Sequence, residues 1–183
     1  RATSGRDDNG TRRAGMKRIL LNILLMLLAF TIQNGIFPLL PFVAATPNLL
    51  LILTFSFGFI YGKEAGLWYG LLAGILLDLF YSGSFGFYTL LYINIGYFNG
   101  ICTKYYYEDY ITLPLILSLV NELAYNGYVY IFSFLIRNRL DIVYYLREII
   151  LPETIFTVVA TLLLYRSFLF TNRRLEELEK RRD

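Results

Sequence analysis

The chain has 183 residues, with 17 Lys and Arg against 14 Asp and Glu and no histidine. An apolar fraction of 56% and a mean hydropathy of +0.51 exclude an ordinary soluble domain and point to a membrane protein. The absence of histidine removes the commonest zinc ligand, the usual general base and the usual triad partner, and the single Cys102 excludes an intramolecular disulfide; no catalytic residue, metal site or cofactor is therefore expected.

Residues 1–15, RATSGRDDNGTRRAG, are small, polar and charged, lack an apolar h-region, and stop at Met16-Lys17-Arg18. They read as a remnant of an expression vector. They hold four arginines and two aspartates, and setting them aside lowers the formal charge from +3 to +1. The basic balance then gives no footing for nucleic-acid binding.

From Met16 onward, apolar runs alternate with short polar breaks. Residues 19–37 form a run of about the twenty residues that a membrane crossing needs, and Pro38 and Pro41 break it. A second run covers 49–61 and ends at Lys63-Glu64; a third covers 65–81 and is closed by the turn SGSFG. The fourth, 87–102, leads into TKYYYEDY, a charged and Tyr-rich segment suited to the membrane interface. Residues 111–136 make a fifth run, RNRLDIVYYLRE leaves the membrane, and 149–170 make a sixth before the charged tail 171–183. The expected fold is an all-α polytopic membrane helix bundle of six transmembrane helices over residues 16–170, or of five if the second and third runs form one re-entrant pair.

Six spans place both termini on one side. With that side cytoplasmic, Lys17, Arg18, Lys63, Lys104 and the basic tail collect inside, against Arg137, Arg139 and Arg147 outside. The excess of inner positive charge predicts cytoplasmic N- and C-termini. Leu140, Val143 and Tyr144 share one helical face and would let the arginine-bearing segment lie flat on the bilayer.

Two polar patterns stand out within the apolar runs. In GLWYGLLAGILLDLF, residues 66–80, Gly66, Gly70 and Gly74 recur every fourth position and the next step lands on Asp78. Small residues at that period make one face on which helix backbones approach closely, which serves either internal packing or contact with another protein. Asp78, about 18 Å along the helix from Gly66 at 1.5 Å per residue, continues the row and should face the same neighbours. Leu76 lies off that row. In the fifth run Ser118, Asn121, Glu122 and Tyr125 share one helical stripe and Asn126 flanks it. Glu122, near the membrane midplane, marks a functional site or else makes an interhelical hydrogen bond to Asn94, Asn99 or a tyrosine hydroxyl.

TPNLLLIL at 46–53, GLWYGLLAGILLDLF at 66–80 and GSFGFYTLLYINIGYFNG at 83–100 together resemble the MreD family of rod shape-determining proteins. Pro47, Asn48, Gly70, Gly74, Asp78, Gly83 and Gly86 match the family pattern, and no catalytic or cofactor role transfers with them. The resemblance implies a non-enzymatic scaffold of the bacterial inner membrane. Its partners would be the single transmembrane helix of MreC and, through the complex, RodA and a class B penicillin-binding protein, so that peptidoglycan synthesis follows the rod. The family is also similar in fold to the S components of energy-coupling factor (ECF) transporters, which makes a small-molecule-binding or transporter subunit the alternative.

Overall fold

The computed structural model describes residues 4–39, 45–81, 86–105, 112–132 and 142–180, with side chains placed at 16–39, 45–81, 86–104, 112–132 and 143–166. Among the described residues the regular structure is entirely helical. Helix α1 (Ser4–Thr31) runs on through a π turn (Ile32–Ile36) and a 3-10 turn (Phe37–Leu39); α2 (Leu49–Tyr61), α3 (Lys63–Tyr81), α4 (Phe87–Ile101) and α5 (Thr112–Tyr130) follow. The short α6 (Ile142–Tyr145) passes through a second π turn (Leu146–Ile150) into α7 (Leu151–Lys180).

Both π turns stand just upstream of a proline, Pro38 and Pro152. Proline lacks an N–H and its ring collides with the carbonyl four residues back, so the helix must widen there or end. At Pro152 it widens and continues. The segment 143–148, expected to leave the membrane, is thus continuous with the last helix, and Val143–Arg166 forms one apolar stretch. Arg147 is exposed on it, whereas Arg137 and Arg139 lie outside the described residues.

Three helical stretches, Met16–Leu39, Lys63–Tyr81 and Val143–Arg166, are long and apolar enough to cross a membrane. Helix α2 is apolar but has 13 residues, roughly 20 Å at 1.5 Å per residue, against a hydrocarbon core of about 30 Å. The distribution of side chains suits lipid surroundings. Leu20, Leu24 and Leu28 on α1, Trp68, Leu79 and Phe80 on α3, and Ile155 and Leu163 on α7 are exposed, while Asn22, Asn48, Asn99, Asn121, Glu122 and Asn126 are buried. Apolar groups face outward and polar groups pair inside.

Helices α3 and α4 make the most extensive pair in the bundle, with α2 packed on both. The glycine row explains why. A Cβ at Gly66 would stand 2.7 Å from the Gly96 carbonyl carbon and 2.8 Å from the Gly58 Cα; one at Gly70, 2.8 Å from the Tyr92 carbonyl carbon; one at Gly74, 2.8 Å from the Thr89 nitrogen. The obstacles are backbone atoms, which have no rotamer to yield. Helix α4 reciprocates with Gly100, whose added Cβ would meet the Lys63 nitrogen at 2.5 Å and the Gly62 carbonyl carbon at 2.7 Å. The row therefore faces α4 and α2 of the same chain.

A single residue separates α2 from α3. Gly62 takes φ +95 and ψ 175 and donates its N–H to the Gly58 carbonyl at 2.8 Å. A side chain at that φ would be strained, so glycine is what permits the reversal. Around this hinge Leu50, Leu51, Phe55, Ala73, Leu77, Tyr92 and Ile95 form a continuous apolar core, closed on one side by Met26 and Phe30 of α1.

Gly74→Leu is expected to cost about 1 to 3 kcal/mol or to prevent folding, because overpacking here meets backbone. Leu76 is partly buried against the core, so the clean lipid-side comparison is Leu79, which is 66% exposed. Leu79→Ala should stay within about 0.5 kcal/mol of wild type. Thermal unfolding with size-exclusion monodispersity in detergent measures both; a well-behaved Gly74→Leu protein of wild-type stability would contradict the seam.

Candidate functional site

The carboxyl group of Asp78 ends the glycine row and reaches across the turn to the start of α4. It accepts the backbone N–H groups of Gly86 at 2.9 Å, Tyr88 at 2.8 Å and Thr89 at 3.0 Å, together with the Thr89 hydroxyl at 2.6 Å. The first turn of any helix carries N–H donors without intrahelical partners, and they bear the positive end of the helix dipole. Gly86, the residue at the cap position, takes the left-handed conformation at φ +99 and has no side chain to offer. A carboxylate from the preceding helix supplies the cap instead, and it locks the far end of the α3–α4 pair. Gly83 lies outside the described residues.

Asn48 performs the same service for α2 and does more. Its Oδ1 accepts the Leu51 N–H at 3.2 Å and the Tyr92 hydroxyl of α4 at 3.0 Å, and its backbone N–H donates to Thr157 Oγ1 of α7 at 3.0 Å. Gln33 of the first π turn completes the cap by accepting the Leu50 N–H at 3.1 Å. Pro47 precedes this junction, and its carbonyl accepts the Leu49 N–H at 3.0 Å. One asparagine thus joins three helices. Helix α1 is held to α3 by Asn22, which donates to the Tyr69 hydroxyl at 3.0 Å, and by the Tyr81 hydroxyl donating to Asn34.

A second polar layer runs along α5. Asn121 and Asn99 exchange amide hydrogen bonds of 2.7 and 2.9 Å between α5 and α4, and the Ser118 and Thr161 hydroxyls meet at 2.8 Å between α5 and α7. Glu122 is fully buried. Neither Asn99 nor Asn94 is its partner: Asn99 is committed to Asn121, and Asn94 donates to the Leu90 carbonyl of its own helix at 2.7 Å. Glu122 Oε1 instead accepts the Asn126 amide one turn along at 3.2 Å. Its Oε2 has no hydrogen bond of ordinary geometry, and the Glu153 carboxyl and the Thr157 hydroxyl of α7 act on the group electrostatically.

Gln33, Glu153 and Thr157 were not singled out in the sequence. A signal for the α7 residues existed: Thr154, Thr157, Thr161 and Tyr165 repeat at three and four residues, the rule that exposed the α5 stripe, and Glu153 adjoins them. All four are buried, and Tyr165 donates to the Ser56 hydroxyl of α2 at 2.9 Å. Gln33 offered no periodic cue, because its partner is a backbone N–H seventeen residues away.

On the outer surface, α1 and α3 border an apolar groove of about 460 Å³, lined by residues that include Ile19, Ile23, Trp68, Leu72 and Ile75. No group of three or more His, Cys, Asp or Glu side chains able to hold a metal ion occurs among the described residues.

Asp78→Leu should lower stability by about 1 to 3 kcal/mol, since it strands the α4 donors that the carboxylate now satisfies. Asp78→Asn should lose less, because an amide oxygen still accepts. Thermal unfolding in one detergent orders the three proteins; equal stability for Leu and Asn would show that the cap contributes little.

No curated protein matches the chain, and no solved structure matches it. A family model described as rod shape-determining protein MreD matches residues 15–173, nearly the whole of the helical bundle. By that match the chain belongs to the MreD family of rod shape-determining proteins.

Proposed function

We propose that this protein is an integral membrane scaffold of the bacterial cell-elongation complex. It binds the transmembrane helix of MreC and, through the assembled complex, helps RodA and a class B penicillin-binding protein lay down peptidoglycan along the rod. The observation that carries this reading is the family match over residues 15–173. The interior supports it: hydrogen bonds that cap helices and tie them to one another suit a body that must hold its shape while partners dock. In this reading α2, α4 and α5 complete six spans in the inner membrane, with both termini cytoplasmic and residues 171–183 forming a charged tail.

A second reading, a small-molecule-binding or transporter subunit of the S-component type, draws on one observation. Buried polar atoms at Asn48, Glu122 and Thr154 lack hydrogen-bond partners, and such atoms in a membrane interior invite a ligand.

Depletion of the protein in a rod-shaped bacterium that has one copy should round the cells, and tagged protein solubilised in mild detergent should copurify MreC. Normal rods after clean deletion would remove the scaffold reading. A thermal-shift screen against vitamins and wall-precursor lipids addresses the second reading, because a ligand present at 100 times its Kd adds about 2.7 kcal/mol of stability.

A further inference from the structure

Helices α1 and α3 run parallel and in register. Two hydrogen bonds fix this, Asn22 to the Tyr69 hydroxyl and the Tyr81 hydroxyl to Asn34, each joining residues 47 positions apart. Between the two helices lies the apolar groove of about 460 Å³, walled by Ile19 and Ile23 of α1 and by Ala65, Trp68, Leu72 and Ile75 of α3. From Ala65 to Ile75 its α3 wall covers about 15 Å at 1.5 Å per residue, half of a hydrocarbon core of about 30 Å. Farther along, the helices are joined to each other: the rings of Phe30 and Phe80 stand 4.9 Å apart, Tyr81 is bonded to Asn34, and none of these four residues lines the groove. The groove thus occupies the half of the helix pair nearest Lys63.

Its walls select among occupants. A partner helix packs in lipid through small residues, but Gly66, Gly70 and Gly74 are turned to α4 and α2, and the groove presents the bulky Trp68, Leu72 and Ile75 instead. Tyr69 adds its ring, and its hydroxyl is held by Asn22, so no polar group in the wall asks for a partner. Half-membrane depth and irregular apolar walls suit a flexible acyl chain from one leaflet. The register also sets the mouth: an offset of 47 brings Lys17 of α1 level with Glu64 of α3, next to Arg18 and Lys63, and all four are exposed. Among the described side chains at this end of the two helices, three cations stand against one acid, and cations that border the hydrocarbon attract anionic headgroups. We propose that the groove seats one chain of an anionic phospholipid whose phosphate lies among Lys17, Arg18 and Lys63. The inference goes beyond the scaffold reading and does not depend on it.

Trp68 is the single tryptophan of the chain and is 67% exposed, so its fluorescence reads the groove directly. The test reconstitutes the full-length protein in phosphatidylcholine vesicles and titrates in lipids with brominated chains, which quench an indole on contact. Brominated phosphatidylglycerol should quench Trp68 at a lower mole fraction than brominated phosphatidylcholine, and high salt should shrink that preference. Lys17→Gln combined with Arg18→Gln should lower it about fivefold or more. Ile23→Phe, which fills the groove, should remove the preference while quenching by phosphatidylcholine persists; the exposed glutamine pair decides the matter if Ile23→Phe does not fold. Three results would overturn the proposal. Equal quenching by the two lipids would mean that Trp68 meets only bulk lipid, a preference that survives both variants would place the anionic lipid elsewhere, and no quenching by either would mean that a second copy or a partner helix covers the groove.

Discussion

In hydrocarbon, water neither drives apolar helices together nor satisfies a stray backbone group, so a bundle must find its cohesion in close contact and internal hydrogen bonding. The approach of α3 to α4 meets both needs. Gly66, Gly70 and Gly74 bring one backbone against Gly96, Tyr92 and Thr89 of the other, where dispersion between many atoms replaces the missing hydrophobic push. Once the two helices are this close, Asp78 reaches the first turn of α4. The seam and the cap depend on one another, because a wider spacing would leave the carboxylate short of its donors.

The remaining helices are placed by polar side chains that each bridge two elements. Asn48 ties α2 to α4 and α7, Asn121 ties α5 to α4, and Ser118 ties α5 to α7. In a soluble protein such groups would cost more to bury than most of them return. In lipid their pairing is directional where apolar contact is not, so it selects the neighbour and register of each helix. Proline contributes by local means, since Pro38 and Pro152 each force a π turn, and the first of these carries the Gln33 that completes the α2 cap.

These features divide the protein into a rigid part and a polar seam. Around α2, α3 and α4 the glycine contacts bring backbone against backbone and the caps of α2 and α4 tie their first turns to neighbouring helices. Along α5 and α7 the interior carries carboxyl, amide and hydroxyl groups, of which Glu122 Oε2 and Thr154 Oγ1 make no hydrogen bond among the described residues.

Much of this was legible in the sequence. The bounds of α2, α3 and α4 follow closely from apolar runs cut at Lys63-Glu64 and at the SGSFG turn, although α3 begins at Lys63 itself because the break is made by Gly62. The period of Gly66, Gly70, Gly74 and Asp78 assigned them to one face, since four residues is close to one helical turn. Periodicity says which residues share a face and nothing about what that face meets. Only the tertiary structure decided that the row packs on α4, that Asp78 caps that helix, and that Asn99 pairs with Asn121 while Glu122 turns to Asn126. The interhelical bonds of the bundle join residues up to 109 positions apart, as Asn48 and Thr157 are, and contacts across such separations are set by how helices dock, which no local pattern encodes.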